Sequence, residues 1–323
     1  MSVQERITAP ADKPRRSLPV EFGVSMVLLV TILFFAWQRP DFHSTDNSRL
    51  LMKQSSELAV IATGMTLVIA TGGIDVSVGS VVGLSGMMLA FVATRTHGNL
   101  LLACLAALGT GAACGLLNGL LIARGKLPPI IVTLATFAAA RAAVQLFNNG
   151  GGISNLPPAL QDLFDRTNIV GLPILFWIGL LTLVSGWLIL RKTKFGRDLL
   201  ALGGNRTATR LAGVRTERVE TMAYVLCGLL AGLTAIIVTA RAASAEPNAG
   251  LYFELLAITA VVLGGTVITG GKATLLGTGL GVLTINVLVS GGRLYGQEDQ
   301  VARFLVGAAL LLAVEVQRAR KTT

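Results

Sequence analysis

The sequence predicts an all-α fold: a polytopic membrane bundle of about ten transmembrane helices, several of them broken by glycine. Three observations carry this. Hydrophobic residues make up 53% of the 323 and charged residues only 14%, where soluble domains run near 25% charged. The apolar residues come in continuous blocks close to the roughly 20 residues that cross a bilayer as helix, and they do not alternate, which argues against a β-barrel. The stretch Ala70-Thr71-Gly72-Gly73-Ile74-Asp75-Val76-Ser77-Val78-Gly79-Ser80 then sets glycines and a carboxylate between two such blocks. Irregular backbone at that depth is tolerated only where protein or a water-filled cavity surrounds it. An ionisable group there marks a solute or ion path.

Along the chain, residues 1–19 are polar, with Arg6, Lys13, Arg15 and Arg16, and read as a cytoplasmic tail. The apolar run after them is too long for a cleaved signal core and lacks a clear cleavage site, so it is a retained first span. Candidate spans lie at 22–38, 56–71, 78–94, 99–123, 129–147, 169–190, 221–240, 254–270, 273–290 and 301–316; the second, third and eighth are short or glycine-broken. A short turn at Arg95–Asn99 joins the third to the fourth. The domain thus runs over 20–317, with a cytoplasmic tail at 318–323.

Charge sets the orientation. With the N-terminus inside, the inner side receives 18 of the 27 Lys and Arg, including the eight between Arg191 and Arg218. The outer side receives 8: Arg39, Arg49, Lys53, Arg95, Arg166, Arg241, Arg293 and Arg303. Arg141 falls within a span. The inner excess follows the positive-inside rule and accounts for the net charge of +10 without nucleic acid. Ten spans place both termini in the cytoplasm.

The inner loop 191–220 holds structural signals as well as charge. Asn205 can cap a short helix over Thr207–Ala212 and Gly213 can end it. Such a helix suits docking to a soluble partner; a solvated basic loop is the plainer alternative. The outer connections are Asn148–Asn168, with Gly150-Gly151-Gly152 and Pro157-Pro158, then 241–253 and the turn 291–300. They hold Asp162, Asp165, Glu246, Glu298 and Asp299, and read equally as a mouth or as ordinary exposed loops.

Within the spans, Gly79-x-x-x-Gly83, Gly111-x-x-x-Gly115-x-x-x-Gly119, Gly228-x-x-x-Gly232 and Gly277-x-x-x-Gly281 line up glycines on helix faces that let backbones approach. They read as internal packing before a dimer seam. Asn118, Arg141, Gln145 and Asn286 also lie in spans. Arg141 cannot shed its charge and needs a carboxylate or carbonyl partner, for which Asp75 is a candidate. Cys104, Cys114 and Cys227 sit in apolar runs as small core residues. Glu57-Leu58 leading to Thr71-Gly72-Gly73 is echoed by Glu254-Leu255 leading to Thr269-Gly270-Gly271, a faint sign of duplication. Thr266–Ala273 lacks the first glycine and the final Ser or Thr of a phosphate-binding loop. No paired catalytic carboxylates, nucleophile elbow or metal cluster is found, so the chain reads as a non-enzyme that binds no cofactor.

Four ordered blocks carry a family resemblance: Gly64–Ile69 through Gly72–Ser80; Gly115–Gly119 with Pro129–Thr136; Thr193–Arg197 with Gly203-Gly204-Asn205 and Leu211–Val214; and Glu254–Gly265 with Gly270-Gly271 and Gly277-Thr278. Together the chain resembles the permease subunit of ATP-binding-cassette sugar importers, in the ribose, xylose, arabinose and galactose branch that also includes autoinducer-2 importers. The resemblance implies a bacterial inner-membrane assembly of two permeases, identical or related. Two cytoplasmic ATP-binding subunits hold the ATP, and a periplasmic sugar-binding protein feeds the assembly. It implies that loop 191–220 is the coupling segment, with Gly204, Asn205, Ala208, Thr209, Leu211 and Gly213 at the ATPase. Where the family usually shows paired alanines this chain has Ala208-Thr209, and Lys272 and Asn286-Val287 also depart from its pattern. Sugars are neutral and rich in hydroxyls, so amides and hydroxyls suit their path, for which Asp75, Ser77, Asn118, Arg141 and Asn286 are the candidates. A branched-chain amino acid permease, a stand-alone secondary transporter and an integral-membrane enzyme are the competing readings.

Overall fold

The computed structural model describes residues 20–154, 156–165, 168–293 and 300–322. The expected tail 1–19, Arg166, and Glu298 and Asp299 of the outer turn lie outside the described residues. In chain order the helices are α1 Val20–Gln38, α2 Thr45–Ala70, α3 Val78–Arg95, α4 Leu100–Ala123, α5 Pro129–Leu146, α6 Pro158–Asp165, α7 Ile174–Lys192, α8 Lys194–Gly204, α9 Arg206–Leu211, α10 Thr216–Ala242, α11 Phe253–Leu263, α12 Leu275–Arg293 and α13 Gln300–Thr322. A two-residue hairpin, β1 Asn168–Ile169 with β2 Leu172–Pro173, precedes α7.

A helix stands at each of the ten expected spans, and seven are long and apolar enough to cross a membrane: α1, α3, α4, α5, α7, α10 and α12. The other three differ for physical reasons. α2 runs 26 residues, but its first half carries Asp46, Asn47, Arg49 and Lys53. α11 stops after 11 residues at Leu263, short of the expected end at 270, because Gly264 and Gly265 follow, the latter at φ +94°, a conformation that L side chains resist. α13 has a shorter apolar stretch, Phe304–Glu315, among the described residues.

Polar caps start several helices. Asn99 accepts from the Leu102 N–H at 3.1 Å to begin α4, and Thr193 accepts from Gly196 at 3.1 Å to begin α8. The centre of the bundle is α2 and α10, almost wholly buried over residues 55–70 of α2 and 231–240 of α10. Glu57 of α2 is buried and takes the Arg241 guanidinium of α10, Nε to Oε1 at 2.5 Å.

The glycine rows pack internally. Gly111, Gly115 and Gly119 of α4 lie against the backbone of Gly228, Tyr224 and Thr221 of α10, with no room for a Cβ. Gly264 sits equally close to Gly277, and Gly281 to Ala260. The sequence echo is also a contact: the Gly271 N–H donates to the Ala70 carbonyl at 3.0 Å, and Gly72 rests on Thr269. α8 closes over that joint through Gly203, so the two glycine turns and α8–α9 share one end of the bundle.

Two irregular segments re-enter the bundle. Residues 71–77 lead from the end of α2 to α3, and 243–252 lead from α10 to α11. Gly79, in the first turn of α3, packs on the Gly250 carbonyl and the Glu254 carboxylate. The broken helices α3 and α11 therefore meet start to start inside the protein.

Candidate functional site

Four of the residues around the 71–77 break form one hydrogen-bonded chain. The Asp75 carboxylate accepts from the Ser77 N–H at 2.9 Å and from the Ser77 hydroxyl at 2.6 Å. This is the local turn that Asp makes with backbone two residues on, and it fixes where α3 begins. Asn118 of α4 donates its amide to Ser77 Oγ at 3.0 Å, and Thr136 of α5 donates to Asn118 Oδ1. The Thr133 hydroxyl, one turn earlier on α5, is shared between the Pro129 carbonyl of its own helix at 3.0 Å and the Ile74 carbonyl of the break at 3.3 Å. Every member is buried, Ser77 and Asn118 completely. The cluster ties the broken segment to α4 and α5 by hydroxyl and amide groups.

Asp75, Ser77 and Asn118 are thus brought together as path candidates; Arg141 and Asn286 are not. The expected Arg141–Asp75 partnership does not form. Arg141 lies eight residues beyond Thr133, about 12 Å along α5, and it is Thr133 that touches the break. Arg141 Nη1 instead donates to the carbonyls of Pro247 at 2.7 Å and Ala249 at 3.4 Å. The carboxylate that acts on it electrostatically is Glu254, at the start of α11. Asn286 is buried in α12 and donates to Val282 one turn back at 3.1 Å. No bond joins it to the Asp75 cluster among the described residues.

Sequence reasoning missed Thr133, Thr136 and Glu254. The two threonines stand at i and i+3 on one face of α5, and Glu254 is the acid of the first turn of α11. Those were the available signals. The connections expected on the outer side are joined to each other: Ile153 and Ala245 exchange two backbone bonds of 2.9 Å.

Below the Asp75 cluster, at the end that carries α8 and α9, a cavity of about 420 Å³ opens. Thr71–Gly73 of the break, Ile122, Ala123 and Lys126–Pro129 around the α4–α5 turn, Arg206 and Arg210 of α9, and Glu220 of α10 line it. The break is therefore in reach of α9 through open space.

The short helix forms as its cap signals require, one residue earlier than expected. Asn205 Oδ1 accepts from the Ala208 N–H at 2.9 Å, and Gly213 ends the segment at φ +83°. Gly204, Asn205, Ala208, Leu211 and Gly213 are exposed, Leu211 at 84%. Thr209 is buried and points back into the protein, so this departure from the paired-alanine pattern falls on the inward face. Arg206 grips Glu220 with both arms, one at 2.9 Å, and Arg210 pairs with Glu217. The Glu220 carboxylate holds the Arg206 guanidinium above its usual pKa.

A family model described as branched-chain amino acid transport system / permease component matches residues 49–314. The chain is 38% identical over 299 residues to the ribose import permease protein of Escherichia coli strain K12, covering 92% of this chain and 93% of that one. It is 38% identical over 271 residues to the galactofuranose transporter permease protein of the same strain, 84% of this chain and 79% of the other. It is 33% identical over 299 residues to the L-arabinose transporter permease protein of Azospirillum brasilense, covering 93% and 88%. No solved structure matches.

Proposed function

This chain belongs to the permease-component family described for branched-chain amino acid transport systems, and from that premise we propose that it is the membrane permease subunit of a binding-protein-dependent, ATP-driven importer of a monosaccharide. The observation that carries the substrate class is similarity over nine-tenths of the chain to a ribose import permease, with galactofuranose and arabinose permeases beside it. The site agrees. Ser77, Asn118, Thr133 and Thr136 join the broken segment to α4 and α5 through hydroxyls and an amide rather than through charges, the kind of group that exchanges hydrogen bonds with a neutral polyol. A zwitterionic amino acid calls for charged partners, and the amino-acid reading is not favoured despite the family's description.

The mechanism is alternating access. A loaded binding protein docks on the face formed by the joined loops 148–168 and 241–253 and releases sugar between this permease and a second copy or relative. Separate cytoplasmic subunits bind and hydrolyse ATP, and α9 seats in them. Closure of those subunits favours one state of the bundle because α9 contacts them differently in each state. The face that carries α8 and α9 is cytoplasmic on this reading.

The test is co-reconstitution with the ATP-binding subunit and the binding protein, measuring ATP hydrolysis against a panel of pentoses, hexoses and branched-chain amino acids. Stimulation by a sugar is expected. Stimulation by leucine or isoleucine alone, or uptake driven by a proton or sodium gradient without the ATP-binding subunit, would replace this reading.

A further inference from the structure

Arg141 is the charged residue that the Asp75 cluster leaves out. It stands on α5 about 12 Å beyond Thr133, on the side away from α9. Only its Nη1 is used, by the carbonyls of Pro247 and Ala249. Nε and Nη2 are buried and have no hydrogen-bond partner among the described residues. Those two nitrogens form one edge of the guanidinium, the edge that grips two neighbouring oxygens at once. Arg141 as a whole is half-buried, so this edge lies just beneath the surface of the chain. Glu254, in the first turn of α11, is 9% exposed, and its Oε2 is likewise buried without a partner. The two charges act on each other, yet these atoms do not bond to one another.

The glycines of α3 give the pair its place. Gly79 and Gly83 stand one turn apart on one face. A Cβ on Gly79 would strike Glu254 Oε2, and one on Gly83 would lie 3.0 Å from the Ala249 carbonyl and 3.3 Å from Arg141 Nη1. The bare face thus sets the guanidinium and the carboxylate against the same helix, at the joint where α3 and α11 begin. Buried polar groups are almost always paired, and leaving a charged one unpaired costs more than leaving a neutral one. Three N–H groups of Arg141 and one oxygen of Glu254 share this condition at a single joint. Together they make a binding surface with donors on one side and an acceptor on the other.

Chemistry selects the ligand. An anion such as phosphate suits the arginine edge but is repelled by Glu254, and a simple cation is repelled by Arg141. A hydroxyl accepts from the first and donates to the second, and two adjacent hydroxyls match the two-nitrogen edge. We propose that Arg141 and Glu254 form a second solute station, on the far side of the Asp75 cluster from α9, which takes the vicinal diol of a neutral polyol. Two oxygens accept from Nε and Nη2, and one hydroxyl donates to Glu254 Oε2. This rests on the reading of the chain as a sugar permease. A zwitterion meets the same two charges in another way, and the test separates the two.

Saturation transfer is measured from the complete complex in nanodiscs to dissolved probes, with neither binding protein nor ATP, so that no transport is needed. The probes are anhydroerythritol, a tetrahydrofuran ring carrying only a cis diol, then hydroxytetrahydrofuran, the same ring with one hydroxyl, and leucine. The diol is expected to bind at least about tenfold tighter than the single hydroxyl, the cost of losing a hydrogen bond to a charged group. Arg141→Lys keeps the cation and a donor for the Pro247 carbonyl but lacks the two-nitrogen edge, and is expected to lose that preference. A residue that only held segment 243–252 would keep it. Glu254→Gln is expected to lose it as well, so one variant decides if the thermal midpoint shows that the other has not folded. Equal binding of the two rings by the parent leaves the edge to water and overturns the proposal, as does a preference that survives in a folded variant. Leucine bound more tightly than the diol, and lost in the same variants, overturns it in favour of a zwitterion site. If the co-reconstituted complex responds to no sugar, the transport reading fails, while the diol preference still decides the station.

Discussion

At the scale of residues, the Asp75 cluster is a positioning device with a readable weak point. Asp75 accepts two bonds from Ser77, and that carboxyl is what holds the start of α3 against α4. Asp75→Ala is expected to abolish uptake while the protein still inserts. Asp75→Asn, whose amide oxygen can still accept both bonds, is expected to keep part of it. Radiolabelled uptake normalised to membrane-inserted protein checks this, and near-normal uptake by the alanine variant removes Asp75 from the path. Thr136→Val leaves Asn118 Oδ1 without its donor, which costs about 1–3 kcal/mol when a buried acceptor goes unpaired; Thr136→Ser is expected to restore both stability and uptake. Asp75, Ser77 and Asn118 were legible because polar groups stand out in apolar runs. Thr136 was not, because a threonine in a membrane helix usually bonds back to its own carbonyls, as Thr63 and Thr66 do here. The Arg141–Asp75 pairing failed for another reason. Both residues need a partner, but only the rise along α5 shows that one lies too far up the helix for the other.

At the scale of elements, the glycine rows decide which helices can move. A leucine at Gly115 drives into the Tyr224 carbonyl, whereas Gly109, two residues before the row begins, has nothing within 4 Å. Gly115→Leu is therefore expected to lower the thermal midpoint in detergent sharply, by the roughly 1–3 kcal/mol or more of an overpacked contact. Gly109→Leu is expected to leave it nearly unchanged. Equal shifts would show that α4 and α10 are not held by that seam. α9 carries its own test. Asn205→Ala removes a cap worth about 1 kcal/mol, and Gly213→Pro asks for φ near −65° where the chain has +83°. Gly213→Pro is expected to leave ATP hydrolysis no longer stimulated by the loaded binding protein; unchanged stimulation refutes the coupling role. The cap was readable because Asn205 and Gly213 are local signals. The half-length of α11 was not, since its apolar run continues through Val267-Ile268 and only the φ of Gly265 shows where the helix stops.

At the scale of the whole molecule, everything turns on which face carries α9. The basic residues argue for the cytoplasm. Arg124, Lys126, Arg191, Lys192, Lys194, Arg197, Arg215 and Arg218 all fall at or near that end, and cytoplasmic loops gather such residues. The opposite end has the hairpin tip at Val170, 87% exposed. A pair of single cysteines resolves it. Leu211→Cys, 84% exposed on α9, is expected to react with an impermeant maleimide only in inverted vesicles, and Val170→Cys only in intact cells. The reverse pattern would put α9 out of reach of any ATP-binding subunit and end the importer reading. An isolated leucine in water is ordinary, but Leu211 tops a helix whose other outward residues are small or charged, which suits an apolar anchor filling a partner's pocket. Leu211→Asp is therefore expected to weaken copurification of the ATP-binding subunit about tenfold or more while Val170→Asp does not, and equal recovery with both would move the docking surface elsewhere on that face.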